Sequence, residues 1–257
     1  MTYMTKEEIW AAALRQSAVD LNCSPEDFGR EHSVVVRSAP HAGARKYLSL
    51  PFFCDLVSGN VVASVAPEAE AAVRAYVERY APEHCFETPN MNVLADALRP
   101  FGMRICFMAE YFLPDVSRMR QWDCGYALKV LGPADFAGLY RTEWSNALCE
   151  KRRELDVLAV GAYDGARLVG LAGCSADCES MWQIGVDVLP GYRRRGVAAA
   201  LTSRLAAETL ARGKVPFYCA AWSNIKSVRN AVKCGFVPAW AELTAKPEAF
   251  VRELNGQ

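Results

Sequence analysis

The sequence predicts an α/β fold on a mixed central sheet, and three observations carry that prediction. Residues 126–245 read as strand, helix, strand-turn-strand, strand, helix, strand, helix, strand, an order that combines hairpin and crossover connections. Asp164-Gly165, set between two apolar runs, is a two-residue hairpin signal, which makes part of the sheet antiparallel. The chain of 257 residues is 52% hydrophobic and 23% charged, ordinary globular composition with enough apolar material for one large domain or two smaller ones.

The elements follow in order. Thr5-Lys6-Glu7-Glu8 has capping-box spacing, and Ile9, Ala13 and Leu14 continue at helical spacing. "SPEDF" at 24–28 offers Ser24 as a cap and Pro25 in a first turn. "FFCDLVSGNVVASV" reads as strand, turn and strand, bending at Ser58-Gly59-Asn60. "PEAEAAVRAYVERY" and "NMNVLADALRP" read as helices, and "MRICFMAEYFLP" as a long strand. Polar residues 113–125, with Pro and Gly and little periodicity, read as a linker. That divides the chain into an N-terminal α/β accessory domain, 1–120, and a second domain, 121–257. In the second, "YALKVL" is a strand, "GPADFAGLYRTEWSNALCEKRR" a broken helix with "EKRREL" its solvated face, and "DVLAVGAYDGARLVGLAGCS" the hairpin. "MWQIGVDVLP" is a strand, residues 195–212 a helix closing at Gly213, and "VPFYCAAW" a strand. "SNIKSVRNAVKC" is a helix and "GFVPAWAEL" a last strand.

Composition excludes several classes. Lys/Arg and Asp/Glu balance at 29 each, so no global charge draws nucleic acid or an anionic membrane. The halves differ slightly: residues 1–125 hold 12 basic and 16 acidic side chains, leaving 17 and 13 for the rest. No apolar run approaches the ~20 residues of a membrane span, and "MTYMTKEEIW" is no signal peptide. The ten cysteines have no regular spacing and read as reduced thiols of a cytoplasmic protein. The three histidines, His32, His41 and His84, lie in the first half, so no metal site is expected.

One stretch breaks a local rule. "VLPGYRRRGVAAAL" stacks Arg193, Arg194 and Arg195 at the start of a helix, where the macrodipole disfavours cations. An anion at that helix end resolves the conflict. A P-loop is excluded because Val197-Ala198 stand where Lys-Ser/Thr belong, and GxGxxG occurs nowhere. What remains is Gln/Arg-x-x-Gly-x-Gly/Ala at a strand–helix junction, matched by Arg193 to Ala198. Gly196 and Ala198 keep the surface low enough for a pyrophosphate to reach backbone N–H groups, and the arginines add charge-assisted hydrogen bonds.

With the alternating strand "IGVDV" before it and Asn-x-x-Ser, a helix and Gly-Phe after it, the region 126–245 resembles the GNAT family of acyl-CoA-dependent N-acyltransferases. The resemblance implies that the central strand splays from its neighbour. Val186 and Val188 then meet the pantetheine arm and acyl carbonyl, Arg193, Arg194, Arg195, Gly196, Val197 and Ala198 hold the pyrophosphate, and Asn224 and Ser227 contact the cofactor arm. Asn224 also suits a helix N-cap. The donor implied is acetyl-CoA and the acceptor a primary amine of a small molecule, attacked directly in a ternary complex. The family's usual tyrosine acid is replaced here by Ala231, so the role is absent or taken by another group such as Tyr218 or Tyr192. A carboxylate or a water chain must accept the amine's proton; Asp187 and Glu143 are the carboxylate candidates, each read in preference as structural or solvated. The echo of "LADALRPFGMRIC" in "VRNAVKCGFVPAW" raises a degenerate repeat of the same fold in the first half, with an unrelated α/β cap as the alternative. The two-part layout is also similar to a subgroup that includes antibiotic self-resistance acetyltransferases. No nucleic-acid or membrane partner is expected, and the protein is read as a monomer or homodimer. Two other functions stay open: a CoA-binding regulatory protein without catalysis, and a helix-based nucleic-acid binder using the arginines.

Overall fold

The computed structural model describes residues 4–46, 54–57 and 59–257. Of the strand-turn-strand expected over 52–65, Phe52, Phe53 and Ser58 lie outside the described residues. The chain forms two compact units, residues 14–110 with 240–257, and residues 1–13 with 111–239.

The first unit holds the second half of α1 (Lys6–Leu21), then β1 (Val34–Arg37), β2 (Asp55–Val57), β3 (Val62–Val65), α2 (Glu70–Arg79) and α3 (Thr88–Leu98). The start of β4 (Met103–Pro114), the end of β10 (Phe236–Pro247) and α6 (Glu248–Leu254) complete it. Its strand order is β1-β3-β2-β10-β4. Strands β1 and β3 run parallel, and β2 runs antiparallel to β3 and β10. Ala63, Val65, Val73, Leu94, Leu98 and Leu243 fill its core. The predicted capping box is present at α1: Thr5 N–H donates to Glu8 Oε2 at 2.7 Å, and Glu8 N–H to Thr5 Oγ1 at 3.2 Å.

The second unit holds β5 (Ala127–Leu131), β6 (Asp156–Asp164), β7 (Arg167–Ser175), β8 (Met181–Val188), α4 (Val197–Leu210), β9 (Val215–Ala220) and α5 (Ile225–Lys233). Its strands lie in the order β4-β9-β8-β7-β6-β5, antiparallel from β5 to β8 and parallel between β8 and β9. The hairpin turns on Gly165-Ala166, because Asp164 pairs with Arg167, one residue later than the sequence signal. Helix α4 packs directly on β7: a Cβ at Gly170 would stand 2.7 Å from Val197 Cγ1.

The broken helix expected over 132–153 is instead three short 3-10 turns, Pro133–Asp135, Thr142–Trp144 and Glu150–Leu155. The reason lies beneath them. Gly173 and Gly185 are cross-strand partners, and a Cβ on either would collide with the carbonyl of Ala147 or Asn146 respectively. The missing side chains let this segment lie flat on the sheet, with Phe136, Trp144 and Leu148 buried against Ala159 and Leu171. Burial of a side chain such as Phe136 contributes about 1.5–3 kcal/mol, more than local helix propensity offers. "EKRREL" is likewise only partly solvated, because Arg152 pairs with the buried Asp177.

Candidate active site

The parallel ladder between β8 and β9 ends early. Its last partners are Ile184 and Tyr218, although β8 continues to Val188 and β9 to Ala220. On its other edge β8 stays paired with β7 as far as Gly170–Val188. Leu189 N–H donates to Val169 O at 3.0 Å, toward β7. Backbone polar groups alternate sides along a strand, so the N–H and C=O of Val186 and Val188 point to the open edge. Their side chains pack with Ile184 in the apolar cluster beneath α4. The splay that the resemblance implied is therefore present as an unpaired strand edge, and both valines face it.

The arginine loop stands at the end of that edge. After a 3-10 turn, Pro190–Tyr192, Arg194 adopts φ 63° and Gly196 φ 80°. Left-handed residues of this kind turn successive N–H groups toward one side, a concavity suited to anions. Gly196 is the residue before α4, whose first N–H groups lack partners within the helix. A Cβ on Gly196 would approach Asp123 O to 3.3 Å. Arg193, Arg194 and Arg195 lie at the surface. Arg193 Nε donates to Val188 O at 3.0 Å, and Arg195 Nη1 to Tyr126 OH at 3.0 Å. Val197 is buried in the core and reaches the site through its backbone alone, while Ala198 is half-buried.

On the β9 side, Asn224 caps α5, its Oδ1 accepting from Ser227 N–H at 3.3 Å. Ser227 Oγ shares a 2.8 Å hydrogen bond with Tyr218 OH. Tyr218 is buried at the apex of the splay, and burial pushes its phenol above the ordinary tyrosine value. Ala231, one turn beyond Ser227, is fully buried in the same apolar cluster as Tyr218.

The remaining candidates sit elsewhere. Asp187 lies on the opposite face, its carboxylate accepting from Asn146 N–H at 2.8 Å, Asn146 Nδ2 at 2.6 Å and Ala147 N–H at 3.0 Å. Glu143 is exposed on the turn Thr142–Trp144. Tyr192 donates to Asp164 Oδ2 at 3.0 Å and meets Tyr126 edge-on, outside the strand gap. Sequence reasoning missed the segment 117–126. Trp122 N–H donates to Ser203 Oγ at 3.1 Å and its Nε1 to Lys233 O at 3.0 Å, tying α4 to α5. Tyr126 then fixes Arg195. The two Trp122 contacts span 81 and 111 residues of sequence, and separations of that size leave no local periodic signal. Among the described residues, no cluster of His, Cys, Asp and Glu could hold a metal ion, and no helix is long and apolar enough to cross a membrane.

Residues 116–240 match the family model described as GNAT acetyltransferase. That segment, just under half the chain, contains the strand gap, the arginine loop and α5. No curated protein matches the chain. Among solved structures, a GNAT-family acetyltransferase from Colwellia psychrerythraea is 11% identical, with 71% of this chain and 75% of that one covered and a TM-score of 0.47. A GCN5-related N-acetyltransferase-like protein from Streptococcus suis 89/1591 is 20% identical over 62% and 68%, at 0.44. A tandem GNAT protein from the clavulanic acid biosynthesis pathway is 13% identical over 95% and 97%, at 0.46. Likenesses this distant carry no argument about function.

Proposed function

We propose that the protein is an acetyl-CoA-dependent N-acetyltransferase acting on a primary amine of a small molecule by direct attack in a ternary complex. One observation carries the reading: an unpaired strand edge at Val186 and Val188 opens beside an arginine-rich helix start. An extended amide-bearing arm suits that edge, since it supplies the missing ladder hydrogen bonds, and a pyrophosphate suits the loop. Acetyl-CoA brings both groups together with a thioester, whose acyl carbon is the electrophile.

The chain's residues divide the work. Arg193 to Ala198 hold the phosphates, with Asn224 and Ser227 on the far side of the gap. The N–H of Val188 lies where it can stabilise the oxyanion of the tetrahedral intermediate. The phenol of Tyr218, protonated at neutral pH, is placed to protonate the departing thiolate. Asp187 enters as a positioning residue, its two oxygens accepting from three N–H donors of Asn146 and Ala147 on the opposite face. The amine then arrives neutral or loses its proton to water. In this reading residues 121–257 form the catalytic domain and 1–120 the accessory one, in the cytoplasm, as a monomer or homodimer. The test is calorimetric titration with acetyl-CoA, followed by thiol release across a panel of amines. Binding with turnover supports the proposal. Binding without turnover on any amine favours a regulatory CoA-binding protein, and no binding refutes both.

A further inference from the structure

Arg193 carries an observation that anion binding alone leaves unexplained. Its guanidinium folds back five residues and donates, through Nε, to the carbonyl of Val188. That carbonyl is the last acceptor on the open edge of β8, and the edge has no ladder partner there. A strand, or an amide-bearing arm lying like one, would set its own N–H about 2.9 Å from that oxygen. Arg193 Nε already stands 3.0 Å from that oxygen. The planar guanidinium and the arm therefore compete for one acceptor.

The competition has a direction. A charged donor on a neutral carbonyl is stronger than a neutral amide on it, so a bare arm displaces Arg193 poorly. A pyrophosphate changes the balance, because its full negative charge offers the guanidinium more than a carbonyl dipole does. Arg193 is exposed and anchored next to the left-handed Arg194, within reach of the helix start where an anion would sit. Movement toward the phosphate would release Val188 O to the arm.

We infer that Arg193 is a placeholder on the strand edge that selects acyl donors carrying a pyrophosphate and rejects acyl-pantetheine thioesters that lack one. The inference rests on the proposed function and goes beyond it, since the same side chain weakens one class of donor and strengthens the other. The gain for a phosphate-bearing donor equals its differential interaction with the two positions of Arg193, as population shift requires.

The test compares acetyl-CoA with S-acetylpantetheine, which has no phosphate, on the wild type and on Arg193→Met. Methionine keeps an unbranched side chain and removes every donor. Calorimetry should show acetyl-CoA affinity falling roughly tenfold or more, the loss expected of charge-assisted hydrogen bonds. NMR titration, which reads millimolar binding, should show S-acetylpantetheine affinity rising about three- to tenfold, as one freed acceptor allows. Saturating inorganic pyrophosphate should raise S-acetylpantetheine affinity on the wild type and leave it unchanged on the variant. A fall or no change in S-acetylpantetheine affinity on Arg193→Met, including no detectable binding to either protein, overturns the inference and leaves Arg193 as an anion contact. Failure of acetyl-CoA to bind the wild type instead overturns the functional reading.

Discussion

Tyr218 and Asp187 lie on opposite faces of the sheet, and their surroundings assign them different work. Tyr218 is buried at the end of the β8–β9 ladder, and desolvation holds its proton through the neutral range. Its neighbour Ala231 offers no hydroxyl. Tyr218→Phe is expected to lower turnover by up to about 10²-fold, the low end for a positioned acid, and to remove the basic limb of the pH profile. An unchanged turnover and profile, read by thiol release, would dismiss Tyr218 as the acid. Asp187 holds the turn Ser145–Leu148 through two backbone N–H groups and one side-chain amide. Asp187→Asn should cost about 1–3 kcal/mol of stability in denaturant unfolding, as loss of charged hydrogen bonds does, and keep the acidic limb of kcat/KM. Loss of that limb with stability intact would make Asp187 a base. Both residues are legible as candidates in the sequence. Which face each occupies is not, because that depends on register, and a one-residue shift reverses it.

Elements are legible where local chemistry and tertiary packing agree. The strand "MRICFMAEYFLP" is β4 at its stated bounds, and the arginine-glycine run does open α4. Local reading fails where packing overrides it. Residues 132–155 carry helix formers yet lie as 3-10 turns, because Gly173 and Gly185 admit their backbone to the sheet. Helix α6 goes unread although Pro247-Glu248 marks its start, and "VVVR" is too short a run to announce β1. The Gly-Phe pair at the start of β10 shows agreement of the stronger kind. Gly235 has φ 89°, and a Cβ there would stand 2.8 Å from backbone atoms of Met119. It thus closes α5 and admits the segment that carries Trp122. Gly235→Ala should destabilise by about 2 kcal/mol or more, combining left-handed strain with a backbone clash. An unshifted urea midpoint would contradict that role.

At the scale of the whole molecule, composition gives no sign that the two units interleave in sequence, because β4 and β10 each read as one continuous strand. Nor does it reveal the charge buried in the first unit. Ser64, Asp55 and Thr244 pair across β3, β2 and β10, and among the described residues none of their side-chain oxygens has a hydrogen-bond partner. Asp55 is fully buried, and desolvation, with Glu242 and Asp20 adding to it, raises its carboxyl well above the ordinary range against the pull of Lys246 and Arg45. The folded protein therefore keeps this proton to higher pH than the unfolded chain, whose carboxyl titrates near ~3.9. Stability contributed by the neutral acid is present below that value and lost as pH rises through the folded one. The contribution of Asp55 to stability should therefore fall as pH rises above about 4, so Asp55→Asn should make the slope of stability with pH more positive than that of the wild type. Equal slopes in urea unfolding at several pH values would show that Asp55 does not titrate there.

The central claim is that the open edge of β8 receives the arm of acetyl-CoA, and amide hydrogen exchange reads it at the backbone. The N–H groups of Val186 and Val188 face the gap without a ladder partner. Acetyl-CoA at saturation should slow exchange at both amides, as new hydrogen bonds do, while amides of β7 stay as they were. Exchange at Val186 and Val188 that is unchanged under saturating acetyl-CoA would contradict that claim.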